Sequence, residues 1–147
     1  MSIYVVDASV AAKWFFDEPL SDESTRLLDA SYVLHVPDLF LIEIDSVLCK
    51  KIRRGEISEG EAQEIRSAVD IFPLQRHPFQ FLMDSAFELA VQTQSSPYDC
   101  LYLILAVSLG AQMVTADRRF YDNMSKSQLA VGSLCWVEDL PQSGRET

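Results

Sequence analysis

The feature that most constrains the fold is an alternation of short apolar segments with longer segments of helical periodicity. Residues 3–6 form a β-rich run that is apolar on both faces, as in a buried central strand of a parallel sheet. Further strands are predicted at 32–36, 72–76, 112–115 and 133–137, and helices at 9–16, 21–30, 38–54, 58–69, 79–92, 97–109 and 118–123. This order predicts an α/β fold in which helices pack on a parallel sheet.

Three of the predicted helices begin at residues that favour helix capping. Ser58 followed by Glu61 is a capping box, in which the two residues satisfy each other's free backbone N–H groups. Ser96 followed by Pro97 predicts an N-cap and the first helical residue of another helix. Ser21 is interpreted as the N-cap of the 21–30 helix. We therefore expect helices to start at these three places.

Composition and charge limit the class of protein. Of the 147 residues, 48% are apolar and 23% charged, so we expect one globular domain over 1–147 rather than a disordered chain. The 12 Lys and Arg residues stand against 22 Asp and Glu residues, which gives a formal net charge of −10. This charge excludes non-specific binding of nucleic acid through bulk attraction, so a nucleic-acid enzyme would need a local site.

The sequence predicts a cytoplasmic protein that has no membrane partner. The first apolar run is interrupted by Asp7 and follows no basic stretch, unlike a secretory signal peptide. The longest apolar run, 101–107, is too short to span a bilayer. The three cysteines are odd in number and widely spaced, so reduced thiols are expected rather than a disulfide framework or a structural zinc site.

Three aspartates stand where a parallel sheet would bring them together. Asp7 directly follows the first predicted strand, Asp117 follows the 112–115 strand, and Asp99 lies in the first turn of the preceding helix. Ligands of open parallel sheets bind beyond the carboxyl ends of the strands, so these side chains are candidates for one crevice. Each also has a simpler interpretation, since aspartate is favoured as an N-cap and in the first turn of a helix.

Glu43 is harder to explain as a structural residue. On a helical wheel of the 38–54 segment, it lies inside the apolar arc between Leu39 and Val47. A charged side chain in a core-facing stripe is costly unless it is paired or bound to a metal. The alternative is an ion pair with a buried arginine, or a side chain that reaches the rim of the stripe. An active-site or metal role fits the position better.

Several carboxylates around one pocket indicate a divalent cation. Two of them about 4 Å apart repel by about 4 kcal/mol at an effective dielectric constant near 20, and a cation reverses the sign of that interaction. Ligands that are all oxygen suit Mg²⁺ or Mn²⁺ rather than Zn²⁺. Such ions activate water and stabilise phosphodiester transition states. The acids alone therefore predict metal-dependent phosphoryl or phosphodiester chemistry.

Four motifs resemble the PIN-domain family, particularly the small ribonuclease toxins of the VapC type. They are 5–9 (VVDAS), 37–48 (PDLFLIEIDSVL), 97–106 (PYDCLYLILA) and 114–120 (VTADRRF), which occur in the family's order and spacing across nearly the whole chain. The resemblance implies a Rossmann-like three-layer α/β/α sandwich with a central parallel sheet. It also implies an endoribonuclease that depends on Mg²⁺ or Mn²⁺, with a cognate antitoxin as partner and a homodimeric assembly.

Carried over position by position, the resemblance implies roles for individual residues. The acidic quartet, which would be catalytic and bind metal, would be Asp7, Glu43, Asp99 and Asp117. Ser9 and Thr115 match hydroxyl positions that would support the quartet; their simpler interpretation is an N-cap serine and an ordinary strand threonine. Ser46 departs from the family, because many relatives carry asparagine there, and its shorter side chain weakens any polar contact beside Glu43.

Basic residues in two groups are candidates for contacts with RNA phosphates. The candidates are Lys50, Lys51, Arg53 and Arg54 at the end of the 38–54 helix, and Arg118 and Arg119 directly after Asp117. The alternative for the first group is a solvated helix end whose cations complement the helix dipole. The aromatic run 14–16 is interpreted as core or dimer interface rather than a base-stacking platform. His35 and His77 show no partner pattern, so surface or structural roles are expected.

Two other functions compete with a nuclease. A catalytically inert PIN-like interaction module would keep the fold, but all four acids are present here. An aspartate-centred phosphatase would carry a second aspartate two residues after Asp7, where this chain has Ser9.

Overall fold

The computed structural model describes residues 2–142, so the ends of the predicted 1–147 domain lie outside the described residues. Its sheet contains five strands, all parallel, in the spatial order β3-β2-β1-β4-β5. The strands are β1 Ser2–Val6, β2 Tyr32–Pro37, β3 Leu74–His77, β4 Gln112–Thr115 and β5 Leu134–Trp136. The predicted α/β fold with a parallel sheet is therefore confirmed.

Helices connect the strands. They are α1 Ala8–Ala12, α2 Ser21–Ser24, α3 Leu39–Arg53, α4 Glu59–Ile71, α5 Met83–Thr93, α6 Pro97–Leu109 and α7 Arg118–Met124. Short 3₁₀ turns add Thr25–Leu28, Gln80–Leu82, Gln128–Ala130 and Val137–Asp139. Among residues 2–142, no helix combines the length and the apolar character that crossing a bilayer would require.

The order of the strands creates a crevice beside β1. From β1 the chain adds β2 and then β3 on one side, and only afterwards crosses to place β4 and β5 on the other side. Val6 pairs in register with Val114, so the residues that follow β1 and β4 emerge next to each other. Such a switch point at the carboxyl edge is where parallel α/β sheets bind ligands.

Helix α6 is largely buried, and it positions Asp99 at the crevice. Every residue from Cys100 to Ala106 is buried, as expected of a helix that is apolar all round. Ser96 caps the helix by accepting a hydrogen bond from the Tyr98 N–H at 3.2 Å, and Gly110 ends it with φ +65°. The predicted start and end of this helix are confirmed, and Asp99 in its first turn rests on a rigid support.

The capping box before α4 is also confirmed. The Glu61 N–H donates to Ser58 Oγ at 3.1 Å, and the Ser58 N–H donates to Glu61 Oε1 at 3.0 Å. Both bonds are local, which is why a short sequence pattern is enough to predict them.

The first two predicted helices are wrong in extent. Helix α1 stops at Ala12 because Trp14 leaves the helical path, packs against Phe72 and donates from Nε1 to the Ser24 carbonyl at 3.0 Å. Ser21 is not an N-cap: its hydroxyl donates to the Phe16 carbonyl at 2.7 Å and is thereby tied to the preceding turn. The predicted 21–30 helix is divided into α2 and the 3₁₀ turn Thr25–Leu28.

Candidate active site

Asp7 lies directly after β1, where it both caps helix α1 and lines the crevice. Its side chain is buried, with 5% of the residue exposed. Oδ1 accepts from the Ser9 hydroxyl and from the Val10 N–H, each at 2.8 Å, so Asp7 caps α1 as the simpler interpretation expected. Because both bonds use Oδ1, the second oxygen is left for a ligand. Ser9 thus fixes the orientation of the Asp7 carboxylate.

Glu43 is partly buried on α3, and its partner is a tyrosine. The Tyr102 hydroxyl donates to Glu43 Oε1 at 2.5 Å, across 59 residues of sequence. The alternative of an ion pair with a buried arginine is therefore not what the structure shows. Burial raises the pKa of Glu43, and the hydrogen bond from Tyr102 partly offsets this by stabilising the ionised form.

The carboxylates meet in two adjoining cavities. A cavity of about 200 Å³ is lined by Asp7, Glu43 and Asp99, together with Ser9 and Ser46. A second cavity of about 260 Å³ is lined by Asp99 and Asp117, together with Arg119. Asp99 borders both, so the crevice runs from the end of β1 to the end of β4. Three of the four predicted acids share one cavity, and the fourth lies in its continuation.

Asp117 is exposed, and local hydrogen bonds hold it in place. Its Oδ1 accepts from the Phe120 N–H at 3.1 Å and so caps α7, while its own N–H donates to Thr115 Oγ1 at 3.1 Å. Thr115 is fully buried, so it anchors the segment that carries Asp117. As with Asp7, one carboxylate oxygen is used by the fold and the other is free for a ligand.

Burial and mutual repulsion disfavour the ionised carboxylates. Burial raises the pKa of Asp7 to about 7, and the nearby Asp99 and Glu43 add to the effect. Burial raises the pKa of Asp99 to about 6, with further contributions from Glu43 and Asp117. Burial and the negative charge of Glu43 also raise the pKa of Tyr102, which therefore remains a hydrogen-bond donor. Perturbed carboxylates of this kind cluster at functional sites.

The donor set fits a hard divalent cation. All the candidate ligands are carboxylate or hydroxyl oxygens, which is the chemistry that Mg²⁺ and Mn²⁺ prefer. Within residues 2–142, no three His, Cys, Asp or Glu side chains are gathered closely enough to hold one ion as they stand. Binding of an ion would therefore be accompanied by rotation of side chains toward the cavity. The Asp99 carboxylate has no hydrogen-bond partner among the described residues, so this side chain is free to rotate.

The structure separates the predicted basic residues. Arg119 borders the cavity of Asp99 and Asp117, whereas Arg118 lies 4.1 Å from the centre of the Trp136 ring and pairs with Asp122. Lys51 is engaged elsewhere, because it pairs with acidic side chains and lies over an aromatic ring. Its partners are Glu18 and Glu56, and the ring is that of Phe16.

The basic end of α3 lies away from the acidic cavity. Lys50, Arg53 and Arg54 come seven or more residues after Glu43 on one helix, and ten residues of α-helix span about 15 Å. None of these cations lines either of the two acidic cavities described above. Their predicted contact with RNA stays a prediction.

Sequence reasoning missed two features. The sequence patterns assign no role to Tyr102, although it stands three residues after Asp99 and therefore on the same face of α6. His35 and His77 form a pair, with His35 Nδ1 and His77 Nε2 2.8 Å apart on neighbouring strands. Burial lowers the pKa of His35, and the neighbouring His77 adds to this effect. No short-range pattern indicates a contact between residues 42 positions apart.

The fold and the site together place this chain among the α/β proteins that have an open parallel sheet and an acidic crevice at its switch point. The sequence profile described as PIN domain matches residues 4–124, which is most of the chain. The chain therefore belongs to the PIN domain family. The family's four motifs all fall within the matched region.

Individual relatives agree with this assignment. Ribonuclease VapC3 of Pyrobaculum aerophilum is 32% identical over 117 residues, which are 78% of this chain and 89% of that protein. The crystal structure of PAE2754 from the same organism matches with a TM-score of 0.64 at 23% identity, covering 93% of this chain and 92% of that one. The VapBC2 structure from Rickettsia felis, bound to a DNA fragment from its promoter, matches with a TM-score of 0.62 at 15% identity, covering 91% and 98%. The resemblance to the VapC type is thereby confirmed.

Proposed function

We propose that this protein is a metal-dependent endoribonuclease and the toxin component of a toxin–antitoxin pair. The observation that carries the proposal is the convergence of Asp7, Glu43 and Asp99 on one cavity, where their ionised forms repel each other. Burial and mutual repulsion make the ionised forms of these acids costly to the fold, so their convergence on one cavity supports a chemical role. The ribonuclease name of the relative VapC3 supports RNA as the substrate.

In this proposal, Asp7 and Asp99 would hold Mg²⁺ or Mn²⁺, and Glu43 and Asp117 would complete the site directly or through water. An ion bound there would activate a water molecule and neutralise charge that develops on the phosphate. Ser9 keeps the Asp7 carboxylate in one orientation through its 2.8 Å hydrogen bond.

The remaining residues orient the site or bind the substrate. Tyr102 holds Glu43 through the hydrogen bond to Oε1, which leaves Oε2 for a ligand. Thr115 fixes the backbone that carries Asp117. Arg119 borders the same cavity and offers a positive charge to a phosphate beside the one that is cleaved. Ser46 lines the first cavity near Glu43, where its hydroxyl is available to a bound water.

The direct test is cleavage of single-stranded RNA by the purified full chain. We expect fragments in millimolar Mg²⁺ or Mn²⁺, no fragments in excess EDTA, and recovery when Mn²⁺ is restored. Gel analysis of an end-labelled RNA gives the rate, and the same sequence as DNA serves as a control for substrate class. Equal cleavage with and without EDTA would contradict metal dependence, and intact RNA under all conditions would contradict the proposed activity.

Tyr102→Phe tests how Glu43 is held. The change removes the hydroxyl that stabilises ionised Glu43, so the pKa of Glu43 should rise further. We expect cleavage to fall by about tenfold near neutral pH, which corresponds to the loss of one hydrogen bond to a charged group, and to recover as the pH rises. Rate profiles against pH measure the effect. Tyr121→Phe, on α7, is the matched control, and identical profiles for both variants would argue against a role for Tyr102.

A protein partner is part of the proposal. The structural match to VapBC2 supports a cognate antitoxin for this chain. With a net charge of −10 and an acidic cavity, the chain favours a partner whose inhibitory segment is basic. A homodimer is proposed on α5, where Met83, Phe87 and Val91 lie on one helix face and are exposed by 51%, 66% and 62%.

A further inference from the structure

The acidic crevice continues into a larger cleft on the side of Asp117. Gln94 and Asn123 border the cavity of Asp99 and Asp117, and both also border a cleft of about 860 Å³. We call this the amide cleft, lined by Gln92, Gln94, Asn123, Lys126, Gln128 and Leu129. Its volume lies in the range of small-molecule binding sites. An extended ligand seated at the acids can therefore reach the cleft without leaving the surface.

The amide cleft is lined mainly by neutral polar side chains, whereas the protein as a whole is acidic. Four of its side chains carry a carboxamide, and none of its lining residues is acidic, although the chain as a whole has a net charge of −10. Within residues 2–142, these carboxamides make no hydrogen bond to other protein groups. Each one offers a donor and an acceptor to a ligand. Lys126 adds one positive charge.

Gln94 occupies a backbone conformation that disfavours its side chain. It ends α5 with φ 54° and ψ 42°, in the left-handed region where glycine is the usual residue. The sequence keeps a glutamine here at an energetic cost, at the one point of α5 that borders both the cleft and the acidic cavity. This backbone conformation beside both cavities supports a use of the Gln94 side chain.

We propose that the amide cleft is a nucleotide subsite, which binds a base of single-stranded RNA next to the phosphate held at the acids. The inference rests on the proposed function, since it names how the substrate of the same site is bound. Carboxamides match the donor and acceptor pattern of base edges, and unpaired RNA exposes those edges. Lys126 and Arg119 would contact phosphates of the same strand.

A peptide fits the cleft less well than a nucleotide. Leu129 is the one large apolar side chain among the lining residues, whereas a docked helix needs a continuous apolar groove. The other large exposed apolar side chains of the described chain, Phe81 and Phe87 among them, do not line the cleft.

The test uses a double variant that is not expected to unfold. Gln92→Ala removes one carboxamide from an exposed position of α5 that favours alanine, and Gln92 lines the cleft without bordering either acidic cavity. Gln128→Ala removes a second carboxamide from an exposed residue that also borders the cleft and neither acidic cavity. Gln63→Ala, on the exposed face of α4, is the control that loses a carboxamide outside the cleft. Melting curves verify that all the proteins are folded.

Binding is measured by fluorescence anisotropy with labelled single-stranded RNA of about 12 nucleotides, in EDTA so that no cleavage occurs. We expect the dissociation constant of the double variant to rise by about tenfold, and that of Gln63→Ala to stay unchanged. In Mn²⁺, cleavage of the small diester bis(p-nitrophenyl) phosphate should be the same for wild type and the double variant, because this probe does not reach the cleft.

The two measurements separate the inference from the proposed function. Wild-type protein that binds RNA through the cleft but hydrolyses neither RNA nor the small diester would support the subsite and contradict the nuclease. Equal RNA affinity of wild type and double variant would overturn the subsite, whatever the cleavage result. Absence of RNA binding by the wild type, both in EDTA and in Ca²⁺ that neutralises the acids, would overturn it as well.

Discussion

Asp7→Asn should abolish RNA cleavage and at the same time make the metal-free protein more stable. The amide keeps an oxygen that can accept from Ser9 and Val10, so the cap of α1 survives. The change removes a buried carboxyl group whose pKa is raised to about 7 by burial and, to a smaller extent, by Asp99 and Glu43. We expect cleavage to fall by at least about 1,000-fold, as for other groups that bind the reacting centre. The gain in stability near pH 8 should be about 2 kcal/mol, or roughly 5 °C in melting temperature.

Asp17→Asn is the matched control, because it changes the charge by the same amount at an exposed position. Its cleavage rate and melting temperature should equal those of the wild type. Both variants are compared by single-turnover cleavage in Mn²⁺ and by thermal melts in EDTA. Wild-type cleavage by Asp7→Asn would exclude the proposed role of this carboxylate. A lower melting temperature of that variant would show that the ionised form stabilises the fold, contrary to the raised pKa.

The second large effect is a dependence of stability on pH that a divalent cation reverses. The pKa of Asp7 is raised to about 7 and that of Asp99 to about 6, while an unfolded aspartate releases its proton near pH 3.9. Between these values the folded protein holds protons that the unfolded chain has lost. The contribution of these groups to stability therefore falls as the pH rises from about 4 to about 7.

His35 acts in the opposite direction. Its pKa in the folded protein is lowered, so its contribution to stability increases as the pH rises toward the unfolded value. The pH dependence of the carboxylates is therefore measured as the difference between wild type and the Asp7→Asn/Asp99→Asn double variant. In EDTA, wild type should lose several degrees relative to the double variant between about pH 5 and about pH 8.

Adding Mn²⁺ should restore this stability, and more so at the higher pH, where the carboxylates are free of protons. At a concentration 100 times the dissociation constant, binding contributes about 2.7 kcal/mol, which corresponds to roughly 5–10 °C. The double variant should show little response. A melting temperature of the wild type that Mn²⁺ leaves unchanged at both pH values would contradict a metal site at these acids.

Local signals made much of the fold predictable. Helix α6 starts at Pro97 and ends before Gly110 because the capping residues and the glycine act on their immediate neighbours. Ser21 shows where such signals fail. Its hydroxyl donates a hydrogen bond to the Phe16 carbonyl, and a sequence pattern cannot distinguish this hydrogen bond from helix capping.

The candidate site was predictable in its acids and not in their surroundings. Glu43 is predictable as a site residue because a charge inside an apolar arc needs a partner, but that partner, Tyr102, is 59 residues away and no spacing rule connects them. The basic residues at 50–54 form one group in sequence, yet Lys51 is held by Glu18 and Glu56. The roles of the acidic quartet stay predictions that the experiments above address.

The caps on α1 and α7 affect how relatives of this chain should be compared. Asp7 and Asp117 each give one oxygen to the start of a helix, so a descendant that had lost its chemistry would still need an oxygen acceptor, from aspartate or asparagine, at both positions. Asp99 makes no such bond among the described residues and would be free to change once catalysis was no longer selected. Across homologous sequences, replacement of Asp99 by an apolar residue would be an early mark of an inactive member, and preservation of an oxygen acceptor at the two capping positions would say little about activity.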